Sequence, residues 1–337
     1  MKKCYALLWT WVCLVTISFA QAPVTPLFQD ENLLSFTLET NLQTFLDDRG
    51  GDPDYHDAVL SYTDEKGKIQ STQVEIKARG RYRRDKLVCY FPPIRMKFPK
   101  KEDHPPLFEG QHKLKVVTHC QDQEYILREY YLYKVYNLLT DKSFKVRLAK
   151  IRYIDTEESL PDEESYAFFI EDENDMAARN NGAPLDESIS LGNNDVDRDL
   201  LTITHIFNFM IANKDFGLNV RQNLKVITNQ DGKPIVVPYD FDWAGIVDAS
   251  YTKLTSSKKA AYYERQRFLP LCRTEEEFQQ AFDLYEAKKD EIFALYENSP
   301  YLSEETVKET LKYFKDFYKT IQKSKKVEEI FINSCNE

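Results

Sequence analysis

The chain has 337 residues, with 45 Lys and Arg against 55 Asp and Glu and a formal net charge of −10. That balance excludes a general nucleic-acid binder, which needs a basic surface. Hydrophobic residues at 42%, with 21 Phe, 21 Tyr and 3 Trp, supply a core and exclude disorder over most of the chain, while 10 Gly are too few for collagen or glycine-built repeats. The length fits one large domain or two lobes of ordinary size. No GxxxxGK[ST], GxGxxG, HExxH or GxSxG string occurs.

The chain opens on Met1-Lys2-Lys3, followed by an almost charge-free apolar run over residues 5–19 and then Ser18-Phe19-Ala20, with small residues where a signal peptidase reads. This predicts a secretory signal peptide over residues 1–20, cut after Ala20 to expose Gln21. A cut after Ala22 would place Pro23 beside the break, which is disfavoured. The apolar run is short for a membrane span, and no later stretch is apolar enough for one. Loss of Lys2 and Lys3 leaves 43 basic against 55 acidic side chains, or −12. The predicted product is secreted or periplasmic, without a transmembrane segment.

Export changes the meaning of the cysteines. Cys4 and Cys13 leave with the leader, and Cys89, Cys120, Cys272 and Cys335 remain. Four thiols in an oxidising compartment predict up to two disulfides. Of three connectivities, Cys89–Cys120 with Cys272–Cys335 is favoured, because each pair falls within one region of the chain. The spacings do not resemble a zinc site.

Residues 21–50 read as a lead-in strand and loop. Val74, Ile76 and Ala78 then alternate with polar neighbours, as do Ile94, Met96 and Phe98, and Leu114 with Val116 suggests a third strand. Ile126, Leu127, Tyr130, Tyr131, Val135 and Leu138 recur at helical spacing. Two strand-like runs follow at 146–154 and 166–170. Beyond Glu171 the pattern is mainly helical: a helix from Asp195 to Ala212, a hairpin of residues 224–227 and 235–237 around a turn at 229–232, and two long closing helices. Thr274 with Glu277 forms a capping box for the first of these, and Ser303 caps the second. The expected organisation is a leader (1–20), a β-rich lobe with one helix (21–171) and a helical lobe carrying the hairpin (172–337).

The densest polar set in an apolar setting flanks that hairpin. Asp215 follows the preceding helix, Asn223 opens the first strand, and Asp240 and Asp242 end the second. Hard oxygen donors of this kind suit a divalent cation bridging phosphates. A separate Asp near a transferred phosphoryl group can accept the proton of an incoming hydroxyl. The same residue types are also ordinary at hairpin ends.

Several segments together resemble the spore-coat-protein-H (CotH) kinase-like family over roughly residues 70–245. They are Lys77-Ala78-Arg79-Gly80, Ile94-Arg95-Met96-Lys97-Phe98, Arg128-Glu129, Tyr166-Ala167-Phe168-Phe169-Ile170-Glu171, and Asn213-Lys214-Asp215 … Asn223 … Val237-Pro238-Tyr239-Asp240-Phe241-Asp242. The resemblance implies an α+β, two-lobed protein-kinase-like fold binding ATP with Mg²⁺ or Mn²⁺. By position, Asp215 looks like the catalytic acid, Asn223 and Asp240 like metal ligands, and Asp242 like an alternative to Asp240. Lys97 or Lys115 would face the phosphates with Glu129 as partner, Arg79 would stand in for the absent glycine-rich loop, and Glu171 would lie where the base docks. The chain departs from the family pattern in two ways: it has no His-Arg-Asp triplet, and eight residues separate Asp215 from Asn223, so Asn219 stays open as the metal-binding Asn.

Three functions follow as expectations. One is an exported kinase phosphorylating a hydroxyl of a secreted or envelope protein. Another is a non-catalytic binding or structural protein of the envelope. The last is a metal-dependent hydrolase or calcium-stabilised binder using Asp215, Asp240 and Asp242.

Overall fold

Alternation governs the first half of the chain. The computed structural model describes residues 22–99, 104–230, 232–255 and 267–336; the leader over residues 1–20 and the Asp231 position of the hairpin turn lie outside them. Seven strands are laid down before residue 171: β1 (Leu34–Thr40), β2 (His56–Thr63), β3 (Ile69–Ala78), β4 (Ile94–Lys97), β5 (Lys113–Val117), β6 (Val146–Asp155) and β7 (Glu163–Ile170). They close into a barrel in the order β1-β2-β3-β4-β5-β7-β6. All pairings are antiparallel except the closing one, in which β1 runs parallel to β6 with Phe36 opposite Ile151 and Leu38 opposite Tyr153. Side chains of period two point inward from every strand, among them Leu38, Leu60, Ile76, Met96, Leu114, Ile151 and Phe169.

Helix α1 (Leu42–Asp47) follows β1, and α2 (Gln123–Leu139) lies between β5 and β6. After the barrel come α3 (Glu173–Arg179), α4 (Arg198–Met210), the hairpin β8 (Leu224–Ile227) and β9 (Ile235–Pro238), then α5 (Glu275–Glu297), α6 (Glu304–Ile321) and the short α7 (Ser324–Val327). Asp197 rather than Asp195 caps α4, accepting from the Leu200 amide. The capping box of α5 and the Ser303 cap of α6 form as the sequence predicts.

A second core lies outside the barrel. Val146, Leu148, Phe168 and Ile170 project outward from β6 and β7 and pack with α2, α4, the hairpin and the two long helices. Adjacent residues thus serve different cores: Phe169 fills the barrel and Phe168 the helical layer.

This architecture corrects the expected two-lobed protein-kinase-like fold with a helical C-terminal lobe. The sheet closes, and the helices share a continuous core with the barrel wall, giving a mixed α+β chain built on a closed barrel. The lead-in read over residues 21–50 contains β1, whose partner across the closure is more than a hundred residues away.

Both favoured disulfides, Cys89–Cys120 and Cys272–Cys335, are formed. No helix among the described residues is long and apolar enough to cross a membrane.

Leu38 is fully buried in the closing strand. Leu38→Ala is expected to cost roughly 2–5 kcal/mol, read as a lower urea midpoint with little change in slope.

Candidate active site

The loop after α4 sets the first acid. Ala212 adopts a left-handed backbone (φ 55°) and the Asn213 amide reaches back to the Asn208 carbonyl at 2.8 Å, closing the helix end. The Asn213 side chain then accepts from the Asp215 amide at 2.9 Å and fixes the direction of Asp215. From there the chain makes a tight excursion. Gly217 and Gln222 exchange backbone hydrogen bonds of 3.0 and 2.8 Å, which returns Asn223 to Asp215 despite the eight-residue gap. The Asn223 amide nitrogen donates to the Asp215 carbonyl at 2.7 Å and to its carboxylate at 2.9 Å. Asn219 is exposed on that excursion, so Asn223 is the amide beside Asp215. Burial and the charge of Asp240 push the Asp215 carboxyl upward, against the hydrogen bonds from Asn223 and Gln222.

Asp240 ends the hairpin in a left-handed backbone (φ 60°), its amide donating to the Tyr133 hydroxyl of α2 at 2.8 Å. Asp240 and Asp242 converge on one guanidinium. Arg83 lies 2.9 Å from Asp240 Oδ1, 3.2 Å from Asp242 Oδ2 and 3.2 Å from Glu129 Oε2, with its side chain 8% exposed. Burial opposes the charge on Arg83, but Asp242 and Glu129 hold it protonated. Burial drives Glu129 and Asp242 upward while Arg83 pulls them down. Tyr251 also donates to Asp242, at 3.1 Å.

A cleft of about 340 Å³ opens beside these groups, lined among others by Arg79, Asp215, Asn223, Tyr239, Asp240 and Trp243. Its volume is in the range of small-molecule sites. Asp240 is 35% exposed and Asp242 only 7%, so Asp240 is the accessible acid of the two. Arg79 is half-buried with no carboxylate in ion-pair range among the described residues, its pKa lowered by burial and supported by Asp240. Lys115 sits near Arg79, Lys225 and Asp240, over the Tyr239 ring at 5.0 Å, and burial with the two cations lowers it to about 8.

The two candidate lysines lie in different surroundings. Lys97 pairs with Glu75 on the barrel exterior, over Tyr55; Lys115 stands by the cleft. Glu129 is a correction: its cationic partner is Arg83, not a strand lysine. Glu171 is buried and held by both nitrogens of an Arg179 fork at 3.0 and 2.9 Å, away from the cleft lining. His205, held low at about 4 by burial, is a packed core histidine.

Arg83 is the residue that sequence reasoning undervalued. It lies within a run of four basic residues over 79–84, and nothing local separates it from Arg81 or Arg84. Tyr133 and Tyr251, which hold Asp240 and Asp242, gave no signal beyond aromatic packing.

Neither family models nor curated proteins show a match to this chain.

Arg83→Ala leaves Glu129 and Asp242 as uncompensated buried acids and is expected to cost about 3–5 kcal/mol at neutral pH. Arg83→Met combined with Glu129→Leu and Asp242→Asn is expected to recover much of that loss in the same urea titration.

Proposed function

We propose that this cleft binds a nucleoside triphosphate with Mg²⁺ or Mn²⁺ and transfers the terminal phosphoryl group to a hydroxyl of an exported or envelope protein. The observation that carries the reading is the grouping, in and beside one cleft, of hard oxygen donors with two cations that make no ion pair among the described residues. Asp215, Asn223 and Asp240 supply the oxygens; Arg79 and Lys115 supply the cations. It draws on the CotH-like resemblance for these site segments alone, since the architecture differs.

The donor set fits a small divalent cation. Among the described residues, the Asn223 side chain uses its nitrogen on Asp215 and keeps Oδ1 without a protein partner, and Asp240 uses only Oδ1 on Arg83. Among the described residues no three His, Cys, Asp or Glu side chains are set to hold a metal alone. The cation would rest on Asp240, Asn223 and phosphate oxygens, which is how Mg²⁺ is commonly held. Bound there, it supplies neutralisation of phosphate charge.

The protein's own groups do the rest. Asp215 accepts the acceptor hydroxyl's proton as the new O–P bond forms and the bond to the leaving diphosphate breaks. Its upward shift brings it closer to the proton it must take. Arg79 and Lys115 steady the charge on the transferred group. Trp243 and Tyr82, 5.5 Å apart, form an apolar wall of the same cleft. The two disulfides suit the oxidising compartment that an exported acceptor implies.

One observation favours the second reading, a binding protein without catalysis: Glu129 is engaged by Arg83 and leaves Lys115 without a carboxylate to orient it. Binding and transfer are separated by experiment. ATP with Mn²⁺ at about 100 times the dissociation constant is expected to add about 2.7 kcal/mol, a rise of several degrees in melting temperature. Asp240→Ala is expected to abolish the shift. Asp215→Asn is expected to keep it while lowering transfer by roughly 10²–10⁴. A melt indifferent to nucleotide and metal ends the phosphotransfer reading, and a shift without transfer to any acceptor leaves the binding protein.

The lysine gives a pH signature. Lys115 is charged below about 8 and neutral above, and a bound triphosphate favours the charged form. Affinity is therefore expected to be full below that pH and to fall by up to about tenfold per unit above it. Lys115→Met is expected to bind more weakly and to lose this dependence, measured by calorimetric titration across the alkaline range.

A further inference from the structure

The barrel exterior beside the cleft carries a charge pattern that stability alone does not account for. In the register of β3, β4 and β5, Lys77 lies opposite Arg95 and Arg95 opposite Lys115. In the next outward row Lys97 lies opposite Lys113, with Glu75 beyond. The alternating positions, Ile76, Met96 and Leu114, are buried in the barrel, so these cations share its outer face. Like charges directly opposite one another on neighbouring strands are destabilising. On β6 and β7 the same barrel follows the opposite rule, with Arg152 opposite Glu164 in register and Lys150 paired to Glu164. Lys77 is answered by Asp52 and Lys97 by Glu75. Arg95 and Lys113 make no ion pair among the described residues, and Lys113 is exposed. Arg79 follows Lys77 on the same strand face, so the row ends at the cleft.

We propose that this face of β3–β5 is a docking surface for an acidic polypeptide segment, and that the acceptor hydroxyl is delivered to Asp215 by a chain bearing Asp and Glu beside it. The inference rests on the phosphotransfer reading only in naming the partner as the acceptor. A nucleic acid carries the right sign but is long and densely charged, and beyond this face it meets a protein of net charge −10. A short acidic segment meets the local cations alone, because exposed charges more than about 8 Å away are screened at physiological salt.

The test is fluorescence anisotropy with a labelled serine peptide flanked by Asp and Glu, its Lys-flanked counterpart and an oligo-dT strand. The protein is the mature chain, compared with Arg95→Glu/Lys113→Glu and Asp240→Ala. The expected result is preference for the acidic peptide in the wild type and in Asp240→Ala, with at least about a tenfold loss in the double variant. Arg95→Glu places a carboxylate between Lys77 and Lys115, so the double variant is expected to melt no lower than wild type; a residue needed only for packing would behave oppositely. If the double variant fails to fold, the exposed Lys113→Glu alone carries the comparison, with a smaller loss expected. Absence of acidic-peptide binding, equal binding of oligo-dT, or binding unaffected by charge reversal overturns the docking surface. Binding as expected, with no phosphoryl transfer from ATP and Mn²⁺, leaves the surface standing and sinks the phosphotransfer reading.

Discussion

The rest of the molecule is arranged around one buried guanidinium. Arg83 meets carboxylates from α2 and from the segment after β9, while its own loop follows β3. Glu129, Asp242 and Arg83 cannot be buried independently, since an isolated ion in a protein interior costs several kcal/mol. Arg83 removes that cost only if all the partners arrive together. The constraint therefore links a barrel loop, a helix and the hairpin, three elements that no local signal connects. The Cys89–Cys120 bond and the Arg49 guanidinium, which donates to the Cys89 carbonyl at 2.6 Å, fix the far end of the Arg83 loop. Asp240 is the product of the arrangement: one oxygen is held, the other is free, and the backbone is kept left-handed by the Tyr133 hydroxyl on its amide. A non-glycine residue in that conformation at a cleft is a known mark of a functional position.

Barrel closure decides where the cleft can form. Because β6 and β7 alternate strictly, one face fills the barrel and the other seats the helical layer. The hairpin is thereby pinned against α4 and below the end of β3, within reach of Arg79. An open sheet with a separately packed helical lobe would leave that distance to a hinge. Here the same strands belong to both cores, and the separation between Arg79 and Asp240 is set by packing.

Local chemistry was legible in the sequence and non-local pairing was not. The capping box at Thr274, the hairpin, both disulfides and the strand at residues 94–97 follow from near neighbours, and each forms. Closure depends on β1 meeting β6 in parallel, a contact with no signature in either segment. β2 alternates only through Ala58, Leu60 and Tyr62, a weak pattern because alanine adds little apolar contrast. With β2 unseen and β1 read only as a lead-in strand, nothing marked the closure, and the kinase-like architecture that the resemblance implied is overturned by the closed barrel. The acids of the hairpin were found because their spacing is local. Their counter-ion was missed because Arg83 is chosen by geometry from several equivalent arginines.

The distribution of charge adds a final argument about what the cleft meets. An acidic protein that collected its bases at random would pair most of them across strands, as β6 and β7 do. Instead Lys77, Arg95 and Lys115 stand in one row that ends beside Arg79. Such a row weakens the free barrel. Natural sequences keep unfavourable local choices where function repays them. On the proposed docking, an acidic segment laid along the row passes from cations to a cleft whose lining adds Asp215 and Asp240, a reversal of sign. That reversal suits a group that enters as an anion and must give up a proton at its end, which a hydroxyl carried on an acidic segment does.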